Sequence, residues 1–210
     1  SSAEDQPAKT LPKVALIGDS IRLSYADAVA KHLDGKAIIN SPKANGGDSS
    51  NVLKHLDEWV IKQQPDVVHF NCGIHDTKRF TTTGKFQVSP EQYESNLRRI
   101  VERIRSETSA VVLFATTTPI LDDRAAAARK GRDYELLGAS VKTYNEIARK
   151  VMLDLKVPVN DLHATLTKPP APHTIESLIG GDGVHLSEAA RKLVGQQVAD
   201  VVVQHLTTTP

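Results

Sequence analysis

The sequence predicts an α/β protein in which a parallel sheet carries helices on both of its faces. Three observations carry that expectation. Five short runs are apolar on nearly every residue, as strands covered on both faces must be. Helical patterns lie between them, each with the i, i+3, i+4, i+7 spacing of a buried stripe. The alternation of strand and helix then repeats along a 210-residue chain long enough for one sizeable core. Residues 1–10 are small and polar and are expected to be disordered; residues 11–210 are expected to form a single domain.

Val14 to Ile17 reads as the first strand, and a helical pattern follows from about Arg22. Ala37 to Ile39 reads as the second, followed by a helix whose apolar face is Val52, Leu53, Leu56, Trp59 and Val60. Val67 to Cys72 is the third strand. The helix after it presents Tyr93, Leu97, Ile100, Val101 and Ile104, and its start is marked by Ser89 as cap, Pro90 at the first position and Gln92 completing a capping box. Ala110 to Ala115 is the fourth strand. Leu121 to Gly138, charged and alanine-rich with Arg124, Arg129, Lys130 and Arg132, is long for a connection and reads either as a solvated surface helix or as a lid. A helix through Val141, Tyr144, Ala148, Val151, Met152 and Leu155 leads to the fifth strand, Val157 to Val159. The last helix runs through Leu186, Ala190, Leu193, Val194, Val198, Val201 and Val202. Trp59 and Met152 sit on these stripes and belong to the core.

Whole-chain numbers narrow the function. Apolar residues make up 40% and charged residues 24%, ordinary values for a globular chain. A net charge of +1 gives no electrostatic footprint for nucleic acid or an anionic membrane, and 4% aromatics leave no base-stacking platform. No apolar run approaches the ~20 residues of a membrane span. The single cysteine, Cys72, excludes an internal disulfide and a thiolate zinc cluster, and reads as a small buried hydrophobe. His32, His55 and His205 fall on helix surfaces, His69 is packed in a strand, and His163 and His173 lie in a loop; none cluster at metal-ligand spacing, so neither metal nor cofactor is expected. The opening SSAEDQPAKT reads as a processed end left after export, favouring a secreted or periplasmic protein over a cytoplasmic one, or as a cloning scar.

In parallel sheets ligands bind at the carboxyl ends of the strands. The first strand ends in Gly18-Asp19-Ser20, just before a helix. Ser20 there is either a helix cap or a nucleophile beside free N–H groups that would stabilise an oxyanion. Gly180-Gly181-Asp182-Gly183-Val184-His185 precedes the last helix, and Asp and His three residues apart can fold so that the carboxylate orients the imidazole as a general base. Asn45-Gly46-Gly47-Asp48-Ser49 and Asn71-Cys72-Gly73-Ile74-His75-Asp76 follow the second and third strands, on the same edge. Thr116-Thr117-Thr118-Pro119 follows the fourth. The G-x-S-x-G elbow is absent.

Taken together, the four blocks Gly18–Ser20, Gly47 within Gly-Gly-Asp-Ser, Gly73–Asp76 and Asp182–His185 resemble those of the SGNH (GDSL-like) hydrolases, in order and along nearly the whole chain. The resemblance implies a three-layer, flavodoxin-like α/β/α fold with a five-stranded parallel sheet in the order 2-1-3-4-5. It implies a serine esterase working through an acyl-enzyme, with Ser20 as nucleophile, His185 as base and Asp182 as the group orienting it. The oxyanion would meet the N–H groups of Ser20 and Gly47 and a side-chain donor. Where the family has Gly-x-Asn-Asp this chain has Gly73-Ile74-His75-Asp76, so His75 replaces the amide donor, with Asn71 as the fallback and Asp76 placed to fix the imidazole tautomer. Asp19, Asp76 and Thr118 are counted among residues lining the substrate pocket. The substrate expected is a small acyl ester, an acetyl ester first of all, carried by a carbohydrate. The competing readings are a lipid or thioester hydrolase and a non-catalytic carbohydrate-binding module on the same fold. The sequence carries no signal for oligomeric state.

Overall fold

The computed structural model describes residues 10–206, so the expectation of disorder over residues 1–10 falls, but for Thr10, outside the described residues. The chain runs β1 (Lys13–Ile17), α1 (Ser20–His32), β2 (Ile38–Asn40), α2 (Ser49–Lys54), α3 (Leu56–Trp59), β3 (Val67–Phe70), β4 (Arg79–Phe80), α4 (Pro90–Glu107), β5 (Val111–Ala115), α5 (Asp122–Ala128), β6 (Tyr134–Glu135), α6 (Gly138–Asp154), β7 (Val159–Asn160), α7 (Leu162–Thr167), α8 (Ile175–Leu178) and α9 (Glu188–Gln204). Five parallel strands stand in the order β2-β1-β3-β5-β7. Counted along the sheet's own strands this is 2-1-3-4-5, the flavodoxin-like order. β4 and β6 form a separate antiparallel pair.

Alternation along the strands makes two cores. Val14 and Leu16 of β1 and Leu113 and Ala115 of β5 face a layer filled by α1 and α9, through Tyr25, Val29, Val194 and Val198. Their neighbours Ala15, Ile17, Val112 and Phe114 face the opposite layer, filled by α4 and α6 through Leu97, Ile100, Ala148 and Met152. Burying both faces is what selects continuous apolar runs rather than alternating ones. Among the described residues no helix is long and apolar enough to cross a membrane.

Several element boundaries differ from the sequence reading. β2 is an edge strand with Ile38 46% exposed, so the rule of full burial does not reach it. The Val52–Val60 stripe is not one helix. It breaks at His55, which draws on the Asn51 carbonyl with both its backbone N–H and its ring, and stacks on Trp59 at 4.6 Å. Trp59 is consequently only partly buried, while Met152 lies fully in the core. At the start of α4 Ser89 caps as expected, but Gln92 turns its amide to Asn96 instead of back to Ser89, leaving half a capping box.

Candidate active site

The sheet order reverses direction between β1 and β3, and the crevice at such a reversal is where open α/β sheets hold ligands. Ser20 stands there. Helix α1 starts at Ser20 rather than at Arg22, and its cap is Asp19, whose Oδ1 accepts from the Ile21 N–H at 2.9 Å. The capping role open to Ser20 is thus filled by its neighbour. As the first helical residue, Ser20 keeps a backbone N–H with no intrahelical acceptor.

From the other end of the chain comes the loop before α9. His185 Nε2 stands 3.0 Å from Ser20 Oγ. The opposite ring nitrogen, Nδ1, bonds Asp182 Oδ2. The second carboxylate oxygen of Asp182 accepts the N–H groups of Val184 and His185, at 3.0 and 2.9 Å. Partial burial works to raise the Asp182 carboxyl, but the His185 ring and these two N–H groups outweigh it and hold its pKa at about 2. The loop can turn this sharply because Gly183 takes φ +76, and because it is pressed against another backbone: a Cβ there would come within 2.4 Å of Ala125 N and 2.6 Å of the Leu121 carbonyl.

The two remaining glycine loops converge on the same edge. Gly46 lies so close to β1 that a Cβ would meet the Gly18 carbonyl at 2.5 Å, and its N–H donates to that carbonyl. Gly47 turns through φ +64, and its N–H already has an acceptor, Asn45 Oδ1 at 2.8 Å. Any oxyanion at Gly47 must displace that side chain. Burial lowers the pKa of half-buried His75 and outweighs the opposing pull of Asp19, so the neutral ring with one N–H donor is favoured; Lys78, Asp48 and His185 also act on it.

Three sequence expectations need correction. Asn71 is not a spare oxyanion donor: its Oδ1 accepts from Tyr25 O–H at 2.8 Å and its Nδ2 faces Asp19 at 3.5 Å, beneath the surface. Asp76 does not fix the His75 tautomer. Its carboxylate takes the N–H and hydroxyl of Ser49, and burial lifts its pKa to about 7 despite those bonds. Nor are Asp19, Asp76 and Thr118 open to a pocket: each is at most 2% exposed. His163 and His173 do line surface clefts, but neither cleft includes Ser20, Asp182 or His185. Among the described residues no group of three His, Cys, Asp or Glu side chains is placed to hold a metal.

Sequence reasoning missed Arg22. Buried in α1, it donates to the carbonyls of Gly18 and Ala44, both at 2.8 Å, and to Ser41 Oγ at 2.9 Å, tying the loop after β2 to the nucleophile strand. Leu121–Gly138 is not a single surface helix. The segment makes α5 and β6, and β6 pairs with β4 beyond the His75 loop.

Solved structures with this architecture include a lipase/acylhydrolase from Enterococcus faecalis, 20% identical, covering 95% of this chain and 100% of that one, with a TM-score of 0.76. A GDSL-like lipase from Bacteroides thetaiotaomicron is 16% identical over 96% and 92%, with a TM-score of 0.73. An acetylxylan esterase from Geobacillus stearothermophilus is 18% identical over 94% and 95%, with a TM-score of 0.69. At these identities the likeness is one of fold. No curated protein sequence matches the chain. The family model of the GDSL-like lipases/acylhydrolases matches residues 16–193, spanning β1 to the middle of α9 and every loop that builds the site, and the chain belongs to that family.

Proposed function

We propose that this protein is a serine esterase that removes a small acyl group, acetyl in the first instance, from a carbohydrate. One observation carries the reading: the unbroken line from Ser20 Oγ to His185 Nε2 and from His185 Nδ1 to Asp182. Ser20 Oγ attacks the ester carbonyl as His185 takes its proton. The imidazolium, oriented by Asp182, gives that proton to the departing alcohol oxygen, leaving an acyl-Ser20. Water then enters by the same route, and the acid leaves. The oxyanion formed in each half is met by the N–H groups of Ser20 and Gly47 and by the neutral His75 ring. The carbohydrate part is supported by the fold shared with acetylxylan esterases, and by a 121–138 segment packed down on the protein rather than standing over the site as an apolar lid.

The test is hydrolysis of p-nitrophenyl acetate by wild type and Ser20→Ala, followed by release of acetate from acetylated xylo-oligosaccharides and of acid from p-nitrophenyl palmitate. Turnover of both acetyl substrates that Ser20→Ala abolishes is expected. Activity confined to palmitate overturns the small-acyl reading. A Ser20→Ala protein as active as wild type overturns the nucleophile and leaves a binding module on the same fold.

A further inference from the structure

The segment from Leu121 to Gly138 grips the site from two sides. Toward the end of the chain, Leu121 N–H donates to the Gly183 carbonyl at 2.9 Å. Arg124 donates to the carbonyls of Glu176 and Ile179, at 3.0 and 2.8 Å. Arg129, just past α5, donates through Nη1 to the Asp182 carbonyl at 2.9 Å. Its other terminal nitrogen, Nη2, stands 4.0 Å from Asp182 Oδ2, the oxygen that bonds His185. Toward the third strand, β6 pairs with β4, Thr81 N–H meets the Asp133 carbonyl and Lys78 lies over the Tyr134 ring at 4.9 Å. One continuous segment therefore spans the loop of His75 and the loop of Asp182 and His185.

We propose that Arg129 is the positioning residue of this brace: it holds the Asp182 loop by its backbone carbonyl and keeps a positive charge beside the Asp182 carboxylate. The inference rests on the triad reading above. The Arg129 side chain is only 13% exposed and the Asp182 side chain 36%, so the pair is partly shielded from bulk water. A fork with two separated donors suits one carbonyl and one carboxylate of the same residue, as a lysine ammonium would not. The charged and titratable groups facing His185 are Asp182 from its own loop, His75 from the loop after β3 and, through Asp182, Arg129 from the end of α5. The positive charge beside Asp182 partly offsets the carboxylate's pull on the imidazole proton. Removing it should leave the imidazolium better stabilised, so that the base is freed only at higher pH.

The experiment is kcat/KM against pH for p-nitrophenyl acetate with wild type, Arg129→Gln and Arg129→Lys, with Asp182→Asn and the Arg129→Gln/Asp182→Asn pair completing a cycle. Arg129→Gln is expected to move the acid limb up by roughly half to one pH unit and to lower kcat about tenfold. Arg129→Lys should leave the limb where wild type has it. In the Asp182→Asn background the carboxylate is gone but the backbone carbonyl held by Arg129 remains, so the Gln substitution should still lower kcat but no longer move the limb. A limb that Arg129→Gln leaves unmoved, or moves equally in the Asp182→Asn background, overturns the proposal and leaves Arg129 a structural contact. If Arg129→Gln does not fold, Arg129→Lys decides: it keeps the charge but not the fork on the Asp182 carbonyl, so kcat should fall while the limb stays, and an unchanged kcat overturns the proposal. A fully active Ser20→Ala instead removes the triad reading on which all this stands, a different result from any of these.

Discussion

His75 is read here as the side-chain donor of the oxyanion hole in place of an amide, and an imidazole and an amide differ in reach and in what protonation does to them. Burial favours the neutral ring, which has a single N–H to give. With the role proposed here, His75→Ala should lower kcat for p-nitrophenyl acetate by about 10²–10³ with little change in KM, the usual cost of one lost oxyanion donor. His75→Asn should restore most of that loss; an inactive Asn variant beside an active Ala variant would remove His75 from the hole. Asn45 is the opposite case. Its Oδ1 holds the Gly47 N–H that the proposed oxyanion hole would use, and exchanging a neutral hydrogen bond involves roughly 0.5–1.5 kcal/mol. Asn45→Ala is expected to raise kcat/KM about two- to tenfold, and a fall would mean the turn matters more than the freed donor. Ser20, Asp182 and His185 could be singled out in the sequence because each lies in a short motif, although Ser20 and His185 meet across 165 residues. Arg22, Asn45 and the bonds of Asn71 and Asp76 were not legible, because no short motif marks partners that lie up to 52 residues away or depend on how a loop closes on itself.

Among the elements, those with a strict period were legible in the sequence and those shaped by tertiary contact were not. α4, α6 and α9 stand where their stripes placed them, and Ser89 caps α4 as its spacing suggests. β2 lies one residue on from where it was expected, but its edge exposure and the break in the Val52–Val60 helix escaped, because an edge position and a ring-to-backbone contact leave no periodic trace. Leu121–Gly138 escaped for a related reason: its arginines look like solvated charge in sequence, yet Arg124 and Arg129 bond carbonyls more than 50 residues away. The joint between this segment and the triad loop is Gly183. Its φ of +76 already disfavours any side chain, and a Cβ would overlap the backbone of Ala125. Gly183→Ala should therefore cost at least about 2 kcal/mol, combining the left-handed penalty with displacement of the loop. For a chain of this size that lowers Tm by about 4–8 °C, and esterase turnover should fall with it because Asp182 and His185 ride on the same loop. A variant with wild-type Tm and turnover would show that α5 and the triad loop can separate freely.

At the scale of the whole molecule, the acids and bases buried on folding pull stability in opposite directions over one pH range. Burial lifts Asp76 from an ordinary carboxyl value of 3.8 to about 7. A raised pKa means folding favours the protonated form, so this contribution is full below pH 3.8 and is lost as pH rises through 7. Burial lowers His69 in β3 from 6.5 to about 4. There folding favours the neutral ring, so the contribution is full above pH 6.5 and is lost as pH falls through 4. Between about pH 4 and 7 the two slopes oppose, and the wild-type Tm should change little for these groups together. Asp76→Asn removes one slope and leaves the other. It keeps a carbonyl for the Ser49 hydroxyl, so the start of α2 retains an acceptor. Its Tm should then rise from about pH 4.5 to 7 several degrees more than wild type does, since a tenfold difference in proton affinity between folded and unfolded chains is worth about 1.36 kcal/mol. His69→Gln should show the reverse, a Tm that falls over the same range. Melting curves of the three proteins at about pH 4.5, 5.5 and 7 measure both differences, and parallel curves would mean that water reaches these two groups and that neither layer of the sheet seals them.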